Sequence, residues 1–181
     1  LICTPALLGV NFTYLQLASE IHMNVDVRPM ELQDMDAIAH LHGDAFQRQF
    51  SSHEWVACNF QAYPRIMIFV ALEVDVIVGY IQWIQKSGFR KEAVIELEQI
   101  AVLSSHRQQQ IGTQLIKKSL PLVNAYLQSQ GSLLKTILVT TRTDNSAQIL
   151  YKNALGAEIK AIIKDLYSHD EVIMVANYVE S

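Results

Sequence analysis

The sequence predicts a single α/β domain, of the α+β kind, and three observations carry that expectation. Segments with two-residue apolar alternation trade places along the chain with segments whose apolar residues recur at helical spacing. The 181 residues suit one domain and are enough to enclose a core. Half of them are hydrophobic and 18% are charged, a balance that excludes a disordered chain.

Asn24 to Pro29 alternates apolar and polar residues, as a half-buried strand does. Asp34 then precedes Met35, Ile38, Ala39, Leu41, Ala45 and Phe46, an apolar stripe at helical spacing. Ser51 to Glu54 reads as a capping box for a second helix that carries Trp55, Val56 and Phe60, and Pro64 stops it. Arg65–Leu72 and Val76–Gln85 are rich in β-formers and are expected to form a hairpin about Glu73–Asp75, although the usual Gly or Asn is absent there. Ala93–Leu103 is the next strand, after a polar loop around Gly88. A third helix is expected from near Gln110 toward Gly131. Pro121 removes a hydrogen bond inside it, at a cost of about 3 kcal/mol, so a kink or a break into two helices is expected there. Thr136–Thr141 is a fifth strand, Asn145–Ala154 a fourth helix, and Ala157–Ile163 and Val172–Val179 two closing strands.

Composition narrows the function. A formal charge of −4 offers no broad basic surface, which argues against nucleic acid as a partner. Cys3 and Cys58 are too few for a disulfide framework and lack metal-ligand spacing, so a reducing, cytoplasmic setting is expected. No apolar run is long enough to span a membrane. His40 and His42 stand two apart on a helix and face different ways, a poor metal pair. Cys58 reads as a small buried apolar residue of its helix, and His106 as a solvated loop histidine. Residues 1–23 read as an N-terminal extension ahead of one domain over 24–181. Either Met23 is the natural start and the preceding residues are upstream or vector-encoded, or they form an extra element packed on the domain. Ile2 to Val10 is apolar, yet no basic residue precedes it as in a secretory signal.

The most informative stretch is Ile100 to Ile116, IAVLSSHRQQQIGTQLI. An apolar strand runs through a short polar loop straight into an amphipathic helix. Such a junction points several backbone N–H groups and the positive end of a helix dipole at one spot, which suits a phosphate. Arg107 adds a forked cation, and Gly112 allows close backbone approach. The spacing Arg107-x-x-Gln110-x-Gly112 resembles the R/Q-x-x-G-x-G/A signature of the GNAT superfamily of acyl-CoA-dependent N-acetyltransferases, with Gln110 standing where that family has glycine. A second resemblance is Thr143 to Gly156, where Ala147, Leu150 and Tyr151 fit N-x-x-A-x-x-L/F-Y and Asn145 falls one residue late.

The resemblance covers residues 24–179 and implies a central, twisted, mixed sheet of six to seven strands, mostly antiparallel, flanked by about four helices. It implies acetyl-CoA as co-substrate, no metal, and a primary amine of a small molecule or protein as acceptor. It carries pyrophosphate binding onto Arg107, Gln110, Gly112 and Thr113, and pantetheine binding onto the backbones of Ile100 and Val102. Asn145 is the further cofactor contact, preferred over Asp144 because a carboxylate is repelled by phosphates. Many members dimerise, so a homodimer is open, and nothing in the sequence marks its interface.

For the chemistry, an amine of ordinary lysine pKa must lose a proton at a cost of about 4–5 kcal/mol at neutral pH. Glu98 is the expected base and Glu96 the fallback, with a β-bulge able to change which one faces the cleft. Tyr151 is the expected acid toward the departing sulfur, a role the family gives to a tyrosine here. Glu96, Glu98, Asp165, Asp170 and Glu171 favour a cationic acceptor if they line the cleft, and the loop Lys164–Glu171, with Tyr167 and His169, is the expected selector. The rival reading is a non-catalytic GNAT-like module that binds acyl-CoA or a protein partner, prompted by the missing glycine.

Overall fold

A computed structural model describes residues 24–178. The expectation for residues 1–23 lies outside them. Among the described residues, seven strands form one sheet: β1 (Asp26–Pro29), β2 (Ile66–Glu73), β3 (Val76–Lys86), β4 (Glu92–Val102), β5 (Leu133–Arg142), β6 (Glu158–Ile163) and β7 (Glu171–Asn177). Their spatial order is β1-β2-β3-β4-β5-β7-β6, and every neighbouring pair is antiparallel except β4 with β5. Four α-helices flank it: α1 (Met35–Ala45), α2 (Ser52–Gln61), α3 (Ile111–Ser129) and α4 (Gln148–Leu155). The mixed, mostly antiparallel sheet and the element order agree with the sequence reading.

Two apolar cores sandwich the sheet because its strands are apolar on both faces. On one face Ile81, Trp83, Ile95 and Leu97 meet Ile111, Leu115, Ile116 and Val123 of α3, and Tyr151 and Leu155 of α4. On the other, Val70, Tyr80, Ile84 and Ala101 meet Ile38 and Leu41 of α1 and Val56 of α2. Each fully buried Leu or Ile contributes about 1.5–3 kcal/mol, so these stripes fix which way the helices face. Arg28 ties β1 to the turn before α1, with Nη1 and Nη2 donating to the two oxygens of buried Asp34 at 2.6 and 2.9 Å.

Four local expectations need correction. Helix α3 runs unbroken through Pro121, so the break does not occur. Pro121 lies on the exposed side, while Leu115, Ile116, Ser119, Val123 and Leu127 anchor both halves in the core. The capping box at Ser51 does not form. Ser51 sits at φ 51°, its side chain caps nothing, and the next hydroxyl, on Ser52, is committed to His42. Helix α4 starts at Gln148 rather than Asn145, because the Asn145 Oδ1 accepts from Ala147 N and holds the preceding turn. Cys58 is exposed, on the outer side of α2. The hairpin does form, with Glu73 opposite Val76. Its first turn residue, Val74, takes φ 57°, the left-handed conformation that Gly or Asn would hold more cheaply.

Candidate active site

The site begins where β4 leaves its neighbour. Pairing with β5 runs from Glu92 opposite Leu133 to Glu96 opposite Leu138 and stops, although β4 continues to Val102 and β5 to Arg142. On the other side of β4, Trp83 lies opposite Leu97 and Gln82 opposite Gln99, which makes Glu98 the extra residue of a β-bulge. Leu103 N–H donates to Val78 O at 2.9 Å. By alternation along the strand, the main-chain groups of Ile100 and Val102 therefore point the opposite way, into the gap toward β5. Their side chains lean on the α3/α4 core.

At the mouth of this gap, residues 104–110 turn the chain into α3. Ser104–His106 form a 3₁₀ turn, and Gln108 and Gln110 both take left-handed backbone, at φ 62° and 61°. Gln110 is the N-cap residue of α3 and provides no side-chain cap. First-turn amides of an α-helix have no intrahelical acceptor, so those of Ile111, Gly112 and Thr113 are turned toward whatever sits at the helix start. Arg107 is exposed, with Nε donating to Val102 O at 3.3 Å. A Cβ on Gly112 would meet Leu150 Cδ2 at 3.1 Å, so this glycine also lets α4 close on α3. His106 is not a free loop side chain. Its Nε2 lies 2.9 Å from Glu73 Oε2 and its Nδ1 2.7 Å from Ser105 Oγ, which braces the loop against the β2–β3 hairpin.

Helix α4 brings Tyr151 into the core under the sheet, 5% exposed. Burial raises its pKa to about 12, and its hydroxyl bonds to no other described residue. Asn145 donates through Nδ2 to Thr141 Oγ1 at 2.8 Å, so both ends of its amide already serve the turn before α4. Asp144 is held by Arg142, whose Nε donates to it at 2.9 Å.

The two carboxylates on β4 differ in their surroundings. Glu96 is buried, 2.8 Å from Lys86 Nζ, and accepts from Thr140 Oγ1 at 3.0 Å. Its charge is matched. Glu98 is half-buried, and its pKa is raised, first by burial and then by the Glu96 charge, against smaller opposing effects of Lys86 and Arg65. A carboxylate held above its ordinary pKa is a better proton acceptor than a solvated one. In the β6–β7 loop, Asp170 Oδ1 accepts from Asp165 N at 3.0 Å, and Glu171 is buried at the strand start. This loop meets the α1–α2 connection, where Arg48 donates to Ser168 Oγ and lies 3.4 Å from His169 Nδ1.

Sequence reasoning missed the polar cluster under α1 and α2. Gln99, Tyr80, His42, Asn59 and Gln82 are all buried there, and Trp55 reaches Gln99 Oε1 at 3.4 Å. The available signal was Gln82 and Gln99, two amides in strands whose residues are mostly apolar. His40 instead lies outside, 3.6 Å from Asp44. Among the described residues no group of three His, Cys, Asp or Glu side chains is arranged to hold a metal. A shallow groove of about 330 Å³ beside Pro121, Leu134 and Tyr178 lies at the closed end of the β4–β5 pair, away from the gap.

Solved structures share this architecture. An aminoglycoside 6'-N-acetyltransferase complexed with coenzyme A is similar at 19% identity over 86% of this chain and 98% of its own, with a TM-score of 0.65. Ard1 from Thermoplasma volcanium matches at 18% over 86% and 99%, also with a TM-score of 0.65. A ribosomal-protein-alanine N-acetyltransferase from Brucella melitensis matches at 17% over 84% and 99%, with a TM-score of 0.63. Identities this low establish the fold alone. No curated protein matches the chain. The model of the acetyltransferase (GNAT) family matches residues 35–157, from the start of α1 to the end of α4, and with the splayed sheet and the loop before α3 this makes the chain a member of the GNAT acetyltransferase family.

Proposed function

We propose that this protein is an N-acetyltransferase that moves an acetyl group from acetyl-CoA to a primary amine of a small molecule or protein by direct attack. The observation that carries the reading is the gap between β4 and β5, with Glu98 on its bulge and the start of α3 at its mouth. The residues fit the co-substrate. Arg107 and the first-turn amides of Ile111, Gly112 and Thr113 meet the needs of a pyrophosphate, and Gln110 and Asn145 flank it. Outward main-chain groups of Ile100 and Val102 suit the amides of a pantetheine arm, which lies along β4 as an added strand would. Acetyl-CoA supplies the activated thioester.

Glu98 takes a proton from the incoming ammonium, directly or through water; the freed amine nitrogen then bonds to the acetyl carbon, and its second proton passes to solvent as the amide forms. Glu96 is the weaker candidate because Lys86 and Thr140 already occupy its oxygens. The carbon–sulfur bond then breaks, and Tyr151 donates a hydrogen bond to the departing sulfur. Its pKa of about 12 stands well above that of an ordinary thiol, near 8.5. Tyr151 therefore keeps its proton at working pH and acts chiefly by stabilising developing charge. Glu98 and Glu96 favour a cationic acceptor, while Lys86 beside Glu96 narrows that preference to Glu98.

A second reading, a non-catalytic acyl-CoA-binding or protein-interaction module, draws on Gln110, whose Cβ stands on left-handed backbone at the phosphate end. Free-thiol release from acetyl-CoA, measured across a panel of amines beside calorimetry of acetyl-CoA binding, separates the two. Turnover with any amine supports the enzyme. Binding with no turnover supports the acyl-CoA-binding module, and no binding defeats both the enzyme and that module, leaving protein interaction.

A further inference from the structure

We propose that Gln99 is a positioning residue, whose side-chain amide clamps the α1–α2 connection and Trp55 against β4 beside Glu98 and so shapes the amine side of the cleft. Its effect on activity rests on the acyl-transfer reading above. The clamp itself does not.

Four segments converge on this one amide of β4. Gln99 is 5% exposed and follows the bulged Glu98 directly. Its Oε1 accepts from Tyr80 OH on β3 at 3.0 Å and from Trp55 Nε1 on α2 at 3.4 Å. Its Nε2 donates to Gln49 Oε1, in the α1–α2 connection, at 3.4 Å. His42 of α1 completes the set, with Nε2 2.9 Å from Gln49 Oε1 and Nδ1 2.9 Å from Ser52 Oγ. Burial lowers the His42 pKa and favours the neutral ring. Gln49 Oε1 has no proton to give, so the 2.9 Å contact needs a proton on His42 Nε2, and His42 Nδ1 then accepts a hydrogen bond from the Ser52 hydroxyl. Gln99 Nε2 stands 3.4 Å from the same His42 Nε2 as a second donor, which leaves its bond to Gln49 Oε1 as the direct tie. Gln49 Oε1 thus receives two donors, one from α1 and one from β4.

The consequence follows from where these groups sit. The first residue of the α1–α2 connection, Phe46, packs against the core with its ring centroid 5.1 Å from that of His42; beyond it Phe50 is 89% exposed, and Arg48 reaches across to the β6–β7 loop. Trp55, 40% exposed, presents a ring edge next to the bulge. Without Gln99 the connection loses its tie to the strand that carries Glu98, whereas the gap toward β5 and the start of α3, on the other side of β4, keep all their contacts. Loss of the clamp is therefore expected to weaken use of the amine and spare acetyl-CoA.

The test compares three variants with wild type. Gln49→Ala cuts the clamp from its exposed end with little risk to folding, and Gln99→Leu cuts it from the buried end. Tyr80→Phe removes a buried bond to the same amide but leaves the tie to the connection. For the first two, KM for the amine should rise about five- to tenfold, the effect of one lost hydrogen bond. The acetyl-CoA Kd and kcat should move less than threefold, and amide hydrogen exchange over residues 46–52 should speed up. Tyr80→Phe should leave all four readings near wild type. An unchanged KM and unchanged exchange in Gln49→Ala would overturn the proposal, as would equal losses in acetyl-CoA affinity. If wild type turns over no amine, the acyl-transfer reading fails by itself, and the exchange over residues 46–52 alone then decides whether the clamp exists.

Discussion

Replacing Gln110 by glycine tests whether the loop before α3 is a strained version of a phosphate cradle. Gln110 sits at φ 61°, ψ 13°, the left-handed region. That conformation costs an L-residue about 1–2 kcal/mol. Glycine removes the cost but loses more chain entropy on folding, about 0.5–1 kcal/mol. The backbone difference is a gain of about 0–1.5 kcal/mol, which for a domain of this size moves Tm upward by up to roughly 6 °C. Gln110→Ala is the control, because it keeps the Cβ and its strain while removing the rest of the side chain. Gln108→Gly, at φ 62° in the same loop, should gain stability by the same route. Urea and thermal unfolding read the stability, and calorimetry reads acetyl-CoA affinity, which should stay level or tighten in Gln110→Gly. If alanine and glycine destabilise equally, side-chain contacts outweigh the backbone and the strain argument fails. A roughly tenfold loss of affinity, about 1.4 kcal/mol, would make the glutamine itself a ligand.

Three further outcomes are expected. Tyr151→Phe should lower kcat by about 10²-fold, the worth of one preorganised donor, with acetyl-CoA affinity within a few-fold; unchanged turnover would remove Tyr151 from the chemistry. Folding stability should hold, since the lost hydroxyl bonds to no described residue. In Glu98→Gln, the acid limb of the kcat/KM profile should vanish. Wild type should lose activity as pH falls through a Glu98 pKa above the ordinary carboxylate range, so a limb at an ordinary carboxylate value would contradict the burial of Glu98. Asp34→Asn should cost about 1.5–3 kcal/mol at neutral pH by weakening the charged bonds to Arg28. The Asp34 pKa is lowered by Arg28, so its stabilisation is full above the unfolded value and is lost as pH falls through the folded one; urea titrations should show that acid loss in wild type and a flatter curve in the variant.

The architecture was legible because the periodicities were strong. Leu115, Ile116, Val123 and Leu127 mark one face of α3, and the strands around Trp83 and Ile95 are apolar on both faces, as a sheet covered on both sides requires. The loop before α3 was legible from Arg107 and Gly112. What stayed hidden depends on contacts distant in sequence. Nothing near Pro121 announces that the core on either side would hold the helix together. Ser51 has the right neighbours for a cap, yet His42 claims the adjacent hydroxyl across ten residues. Cys58 looked buried because its helix is amphipathic, and a turn of helix decides which side it takes. The amides of Gln82 and Gln99 become a cluster only once β3 and β4 pair and α1 and α2 are laid over them.

One inserted residue accounts for both halves of the site. A bulge increases local twist and bends the strand that carries it. On β4 the bulged residue is Glu98, and pairing with β5 ends two residues earlier, at Glu96 opposite Leu138. The strand that turns away from β5 at this point exposes the main chain of Ile100 and Val102, and the same insertion sets the carboxylate of Glu98 beside the opening. Without it, β4 would continue in register with β5 from Glu96 onward, Thr140 would meet a partner on β4 as it does Ile173 on β7, and the groove would close. The proposed base and the proposed cofactor groove are thus a single feature of the backbone. Deleting Glu98, unlike replacing it with Gln, should abolish acetyl-CoA binding together with turnover.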